Sequence, residues 1–554
     1  MLILPAFFIY MLVIFPSGSQ YCFNNVCGIY FWGVHGHDAV WHLAIANVSF
    51  SQIPFIAPTF AGDILSGYNY FLDLIIHLIS LVGIPAITLY FKVMPVVWFA
   101  IYTVLLVALG RRIKNDPVFV GLLLFFAYFA ESFAYILNLM HHGTVWGSSG
   151  LLATLKVHIM SNPPFAWSIL ILLAMLIIIR RQKIDLKIVL ILGLLNFLNL
   201  GLKFYGGAVT GFLTGLFLLF TLVRTDIKKM FFYGFIQLFF AVVAILFFYD
   251  PFNSLKTGAI FTVAPFAMIH TITEEPNLFY MRHLTDARYF LASRGIGPRL
   301  IAIELFNLTL FVFFYFGVKF LGLIYVVVKI LRRKINRFDW YLLLTMIFAT
   351  ALTVTFVQKA EWWNVIQFFY YAMFLSAFFT AELVYGLWKA KKRKLVAYSL
   401  LVVIIILALP VTVDVVKQYT VFPGTAYISE DELAGLNFLK KQPYGVVFAP
   451  LYDPAWKTYG KPNQLYRYTD TAYVAAFTGK PVYFANILQL RLTGVNYENR
   501  LKKVQRLDCD ILKKVNYVYE IRHLSNEGRL IACPGAKYKK IFGNQAVFVY
   551  SITK

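Results

Sequence analysis

The sequence predicts a polytopic α-helical membrane protein of about eleven spans, followed by a smaller external α/β domain. Three observations carry that expectation. Apolar runs of about 20 residues, the length that crosses a roughly 30 Å hydrocarbon layer, recur between residues 86 and 413. Of the 554 residues, 60% are hydrophobic and only 14% charged, and the mean hydropathy is +0.70. Basic residues gather in clusters between the apolar runs. A soluble chain of this composition would expose far too much apolar surface.

Fifty basic residues against 26 acidic ones leave a net charge of +24. In a soluble protein that balance would point to nucleic acid. Clusters placed between apolar runs are instead topology signals and contacts for anionic lipid, so the bilayer is the expected partner and nucleic acid is not.

The first apolar segment, Leu2 to Phe15, has the length of a signal peptide but lacks a basic leading region. Pro16-Ser17-Gly18-Ser19 makes a weak cleavage site, and the segment reads as an uncleaved first span. The stretch from Tyr68 to Val82 is apolar but too short, together with 86–110, for two ordinary spans. Asp73 and His77 stand four apart on one helix face, so it reads as an interfacial helix on the outer leaflet, with a re-entrant hairpin as the alternative.

Five basic clusters set the topology: Arg111-Arg112-Ile113-Lys114; Arg180-Arg181-Gln182-Lys183; Arg224 with Lys228-Lys229; Arg332-Arg333-Lys334 with Arg337; and Lys389 with Lys391-Lys392-Arg393-Lys394. Two apolar runs fit between each neighbouring pair: 117–138 with 165–179, 188–203 with 205–223, 231–249 with 301–328, and 339–357 with 364–386. Two crossings return the chain to the same side, so all five clusters share one compartment, the cytoplasm by the positive-inside rule. The first span, one ending at Gly110 and one over 396–413 complete the set. The N-terminus is then inside, and the loops 17–66, 139–164 and 251–300 lie outside with everything after Val415. The 188–223 pair has the shortest helices and holds Asn196, Asn199 and Lys203, the lysine at its external turn.

The predicted division is a membrane domain over 1–415 and a soluble external domain over 416–554. In the tail, β-type runs at 445–449, 515–519 and 546–550 alternate with helical patterns at 430–440 and 497–514, which is the layout of a small α/β domain. Glu430-Asp431-Glu432 opens the first of those helices with the charge its dipole favours. No internal repeat, P-loop or GxGxxG occurs. Cys22 and Cys27, and Cys509 with Cys533, fall on the external side, where disulfides and free thiols are both permitted.

The candidate chemistry begins in the loop Gly36-His37-Asp38-Ala39-Val40-Trp41-His42, just past the first span. Asp38, flanked by His35, His37 and His42, is placed to act as general base on an acceptor hydroxyl attacking an anomeric carbon. One base suffices for a single inverting displacement, whereas retention needs a second carboxylate as nucleophile. A polyprenyl phosphate departs as a stable anion and needs cations more than a strong acid. His35, His37 and His42 with Asp38, or His141-His142, also offer donors for a divalent metal ion. However, His37 and His42 are five apart, a poor helical clamp, and no metal ligand is assigned. Trp41, Trp98, Trp146, Trp167, Trp362 and Trp363 fall near span ends, as an aromatic belt does.

The order of these features resembles the GT-C superfamily of integral-membrane glycosyltransferases, such as protein O-mannosyltransferases and bacterial aminoarabinose transferases. An acidic residue opens the first external loop, and Ala39 to Ala46 continue as a helix. Ile53-Pro54 and Phe60-Ala61-Gly62 make the Pro/Gly-rich stretch, Gly67 to Asp73 lead into the interfacial helix, and Leu109-Gly110-Arg111-Arg112 close the next span. Gly201 to Gly207 and Glu361 to Tyr371 are similar more loosely to a central helix break and a late external turn of related bacterial chains. That family usually has an adjacent acidic pair. Here His37-Asp38 stands in its place, so Asp63, and after it Asp73, is the candidate second carboxylate.

The resemblance implies a polyprenyl-phosphate-linked sugar donor, chemistry on the external face, and a lipid, glycan or protein acceptor. External cations near the membrane are the candidates for the lipid phosphate: Lys203, Arg282, Arg288 and Lys359. Lys203 stands out because a charge at a helix break is expensive without a partner. His37, His42, Asp73 and Glu361 are assigned to substrate. A hexosyl- or pentosyltransferase in a bacterial or archaeal cell membrane is the leading expectation. A transporter or flippase is the alternative, since intramembrane charge and helix-breaking glycines suit one. A non-catalytic surface protein whose tail binds a wall polymer is the third.

Overall fold

The structure, a computed structural model, describes residues 2–181, 184–223, 225–255, 260–390, 394–457, 462–524, 533 and 537–553. The cluster residues Gln182, Lys183, Arg224, Lys391, Lys392 and Arg393 lie outside the described residues.

Helices occupy every apolar stretch. Seven are long and apolar enough to cross a membrane, and Leu155–Ser161 with Pro163–Ile179, bent by 111°, makes an eighth if the pair is one span. Ile3–Ile14, Pro117–Tyr128 and Leu186–Leu202 are apolar but shorter; twelve residues rise only about 18 Å. Polar caps set many of the starts: Asp116, Asn162, Asp185 and Asp226 each accept a backbone N–H of the following turn, and Asn336 with Asp339 forms a capping box. Phe71–Ser80 buries Leu72, Asp73 and Ile76, while Leu78, Leu81 and Val82 face outward, the two-sided arrangement an interfacial helix needs.

Contacts between the basic clusters bring one end of the bundle together. Arg112 donates to the Ile177 carbonyl, the Arg180 guanidinium lies over the Phe338 ring, and Lys114 pairs with Glu382. Lys329 reaches both Asp339 and Glu382 at 2.7 Å, and Lys389 pairs with Asp116 at 3.1 Å. Four of the five clusters thus meet at one end.

The opposite end carries the loops and the tail, which form one body across the division at residue 415. The hairpin Ser19–Phe23 with Val26–Phe31 is closed by the Cys22–Cys27 disulfide. Its second strand pairs antiparallel with the tail strand Ala426–Ser429, which pairs parallel with Asn463–Gln464. A Cβ at Gly28 would fall 2.0 Å from the Ile428 carbonyl oxygen, so that pairing requires glycine. Asn47 donates to the Ala476 carbonyl, Tyr468 to that of Gly33, and Arg500 to that of Ala61 while lying over Phe60.

The tail's second sheet runs in the order Val447–Phe448, Tyr517–Ile521, Val547–Thr553, Lys537–Gly543, its first pair parallel and the others antiparallel. Helix Glu430–Lys440 packs on it: Phe438 stacks with Phe542, and Glu432 accepts from the Tyr519 hydroxyl at 3.1 Å. The expected helix over 497–514 is shorter, Glu498–Gln505, followed by a 3₁₀ turn at Cys509–Lys514 anchored by the Cys509–Cys533 disulfide.

Candidate active site

A cavity of about 710 Å³ lies where the loops, the helix breaks and the tail converge. Each wall comes from a point where regular structure stops. The 3₁₀ turn Gly33–Gly36 feeds helix Asp38–Val48, so Asp38 sits in that helix's first turn, where a carboxylate is favoured by the dipole. Lys203 is the residue between helices Leu186–Leu202 and Phe204–Leu222. Asn162 caps the lower half of the bent pair. The 3₁₀ turn Trp362–Val365 supplies Trp363 and Asn364, and the tail supplies Tyr468 and Gln489.

The side chain of Asp38 is 41% exposed, into this cavity, and one of its oxygens lies 2.8 Å from His37 Nδ1. Burial pushes the Asp38 carboxyl up. The hydrogen bond and charge of His37, with the charges of His42 and Lys203, outweigh it and hold the group below its ordinary value. Burial likewise opposes the His37 charge, but Asp38 and then Asp470 prevail and raise its pKa. At neutral pH Asp38 is therefore an ionised acceptor steadied by its neighbour.

His42, one helical turn on, lines the same wall but is committed: its Nδ1 lies 3.0 Å from each oxygen of Asp73. Both side chains are buried, and Asp73 does not line the cavity. Lys203 is 6% exposed and bonds only weakly, 3.4 Å to Asn162 Oδ1, with no ion-pair partner among the described residues. It is a buried cation open to the cavity. Glu361 lines the wall as the acceptor of the Trp363 indole N–H at 2.7 Å.

The other expected residues lie elsewhere. Asp63 is exposed and accepts from the backbone of Ile64. Arg282 is exposed beside Asp286, and Arg288 is paired with Glu274; neither lines the cavity. Sequence position placed these groups on the loop face, but their own partners turn them away from its centre. Lys359 lines an adjoining hollow of about 280 Å³ that shares Gln358 and Leu492 with the main cavity. His35 faces away, between Ser17 Oγ and the Met160 carbonyl.

Sequence reasoning missed several wall residues. Asn162 carried a helix-start signal in Asn162-Pro163-Pro164, and Asn69, Asn364 and Gln367 fell within stretches already singled out. Nothing local marks Tyr468 or Gln489, which arrive from the tail. A divalent ion does not suit these side chains: among the described residues no three His, Cys, Asp or Glu groups converge. At the wall His42 is held by Asp73 and Glu361 by the Trp363 indole, which leaves Asp38 and His37, too few to close a coordination sphere.

The arrangement is a bundle of apolar helices, an acidic residue opening the helix that follows the first hairpin, and a sheet-containing tail closing over it. Among solved structures the chain is similar to the archaeal oligosaccharyltransferase AglB from Archaeoglobus fulgidus in complex with an inhibitory peptide and a dolichol-phosphate. The TM-score is 0.50 at 11% identity, covering 94% of this chain and 69% of that one. An Archaeoglobus fulgidus oligosaccharyltransferase in complex with Zn and sulfate gives a TM-score of 0.50 at 11% identity, over 94% and 68%. No family model and no curated protein sequence matches the chain.

Proposed function

We infer that this chain is a membrane glycosyltransferase that moves a sugar from a polyprenyl-phosphate-linked donor to an acceptor hydroxyl on the external face. The observation that carries the reading is that the ionised Asp38 and the unpaired, buried Lys203 open onto one cavity. Asp38 takes the proton of the acceptor hydroxyl as its oxygen forms a bond to the anomeric carbon. The bond from that carbon to the phosphate oxygen breaks, and polyprenyl phosphate leaves with the electron pair, its charge met by Lys203. With one carboxylate free to act, the displacement is single and inverts the anomeric centre.

The apolar and aromatic part of the wall, Phe204, Tyr205, Ile245 and Phe261, suits the first isoprene units. The likeness to a structure holding dolichol-phosphate supports a lipid-phosphate donor, and its peptide supports a protein among the lipid, glycan and protein acceptors. The basic end of the bundle faces the cytoplasm by the positive-inside rule, with the N-terminus inside and the tail outside.

The test is transfer in vitro. Wild-type and Asp38→Asn protein are incubated with radiolabelled polyprenyl-phosphate sugars and a membrane extract, and donor loss is followed. Turnover that vanishes in the variant is expected; full turnover in Asp38→Asn overturns the assignment. Solute uptake by reconstituted vesicles without sugar transfer would favour a transporter instead.

A further inference from the structure

The cavity wall carries polar atoms that neither the base nor the phosphate cation explains. Asn69 Nδ2, Gln367 Oε1 and Gln489 Oε1 are buried and have no hydrogen-bond partner among the described residues, yet all three residues line the cavity. Each side chain is more than nine-tenths buried. A buried amide atom left unpaired costs free energy, so three around one hollow signal a missing partner.

The orientation of one of them is set by its neighbours. Gln358 Oε1 accepts from Tyr205 Oη at 2.9 Å and from Asn364 Nδ2 at 2.8 Å. Asn364 Oδ1 in turn accepts from Gln367 Nε2. The chain of amides ends with Gln367 Oε1 as an unpartnered acceptor on a residue of the cavity wall. Asn69 comes from the approach to the interfacial helix, Gln367 from a membrane helix and Gln489 from the tail. The subsite exists only once all three are assembled.

The geometry points to these three carboxamides as the subsite for the transferred sugar, and to that sugar as an uncharged one recognised through its hydroxyls. This rests on the lipid-linked donor reading above. A hydroxyl both donates and accepts, so two hydroxyls of one sugar satisfy the one amide donor and the two amide acceptors. Of the charged groups around the cavity, Asp38 is bonded to His37, Glu361 takes the Trp363 indole and Lys203 is assigned to the phosphate, while Lys457, also on the lining, is exposed. A carboxylate or ammonium placed against these three amides would exchange its solvation for neutral groups.

The experiment is displacement of radiolabelled polyprenyl phosphate from the purified full-length chain, without acceptor. The competitors are bare polyprenyl phosphate and its hexose, hexuronic acid and amino-sugar conjugates. The hexose conjugate should bind at least about tenfold more tightly than the bare lipid phosphate and than either charged conjugate. Gln367→Leu and Gln489→Leu should each remove about fivefold of that gain, leaving bare lipid phosphate affinity unchanged, which also shows the variants are folded. Equal binding of hexose and bare conjugates, full gain in both variants, or preference for a charged sugar overturns the subsite while leaving the lipid-donor reading standing. Failure of the wild-type chain to bind polyprenyl phosphate overturns both.

Discussion

Two ends of this bundle concentrate charge, and they treat it in opposite ways. At the basic end Lys329 sits between Asp339 and Glu382, Lys114 also reaches Glu382, and Asp116 takes both Lys389 and the Tyr385 hydroxyl. Each of these carboxylates is answered by a cation. At the loop face Lys203 is 6% exposed and, among the described residues, has no carboxylate partner, while Asp38 opens onto the cavity and one polar atom on each of three amides is unpartnered. Buried charge that is paired tends to fix architecture, whereas buried polarity left open is costly unless a ligand completes it. The contrast locates chemistry better than the abundance of charged residues does.

That contrast can be broken by substitution. The largest effect is expected for Asp38→Asn, which removes the open carboxylate and should lower donor turnover by about 10²- to 10⁴-fold with unchanged thermal unfolding. Next comes the closed end. Lys329→Met leaves Asp339 without a cation and Glu382 with Lys114 alone, and should cost about 3 kcal/mol of stability, read as a lower unfolding midpoint in detergent, with turnover per folded molecule retained. Loss of activity in a fully stable Lys329→Met protein would erase the distinction between the two ends.

Lys203→Gln should weaken binding of polyprenyl phosphate by about 10- to 100-fold without destabilising the fold, because it removes a charge that has no ion-pair partner among the described residues. The smallest effect sharpens the picture at Asp38. His37 helps hold that carboxyl below its ordinary value, so wild-type activity should persist as pH falls through the usual carboxylate range. In His37→Gln the carboxyl rises, and the acid limb of the rate profile should move to higher pH. An unmoved limb would show that His37 does not govern the ionisation of Asp38.

Legibility in the sequence follows the range of the interaction concerned. The spans were readable because hydropathy is a property of each segment alone, and the break at Lys203 was visible as a charge between two apolar runs. Asp38 could be placed at the opening of a loop, since the first apolar helix and the segment after it are adjacent in sequence. The tail's helix at 430–440 and its short strands were likewise local patterns. Asp63, Arg282 and Arg288 shared the predicted face with Asp38 and Lys203, but sharing a face does not decide which way a side chain points. Arg288 is claimed by Glu274 and Asp63 by the backbone beside it.

By itself, then, the sequence determined a membrane bundle, its basic end, an acidic residue at the opening of the first loop and a folded tail. Tertiary structure alone decided that the first loop and the tail share a sheet through Val26–Phe31 and Ala426–Ser429. It alone brought Asp38, Lys203, Gln367 and Gln489 to one cavity. Burial and helical period are set by neighbours a few residues away, whereas a site is a meeting of groups hundreds of residues apart. Only the packing of the whole chain specifies that meeting.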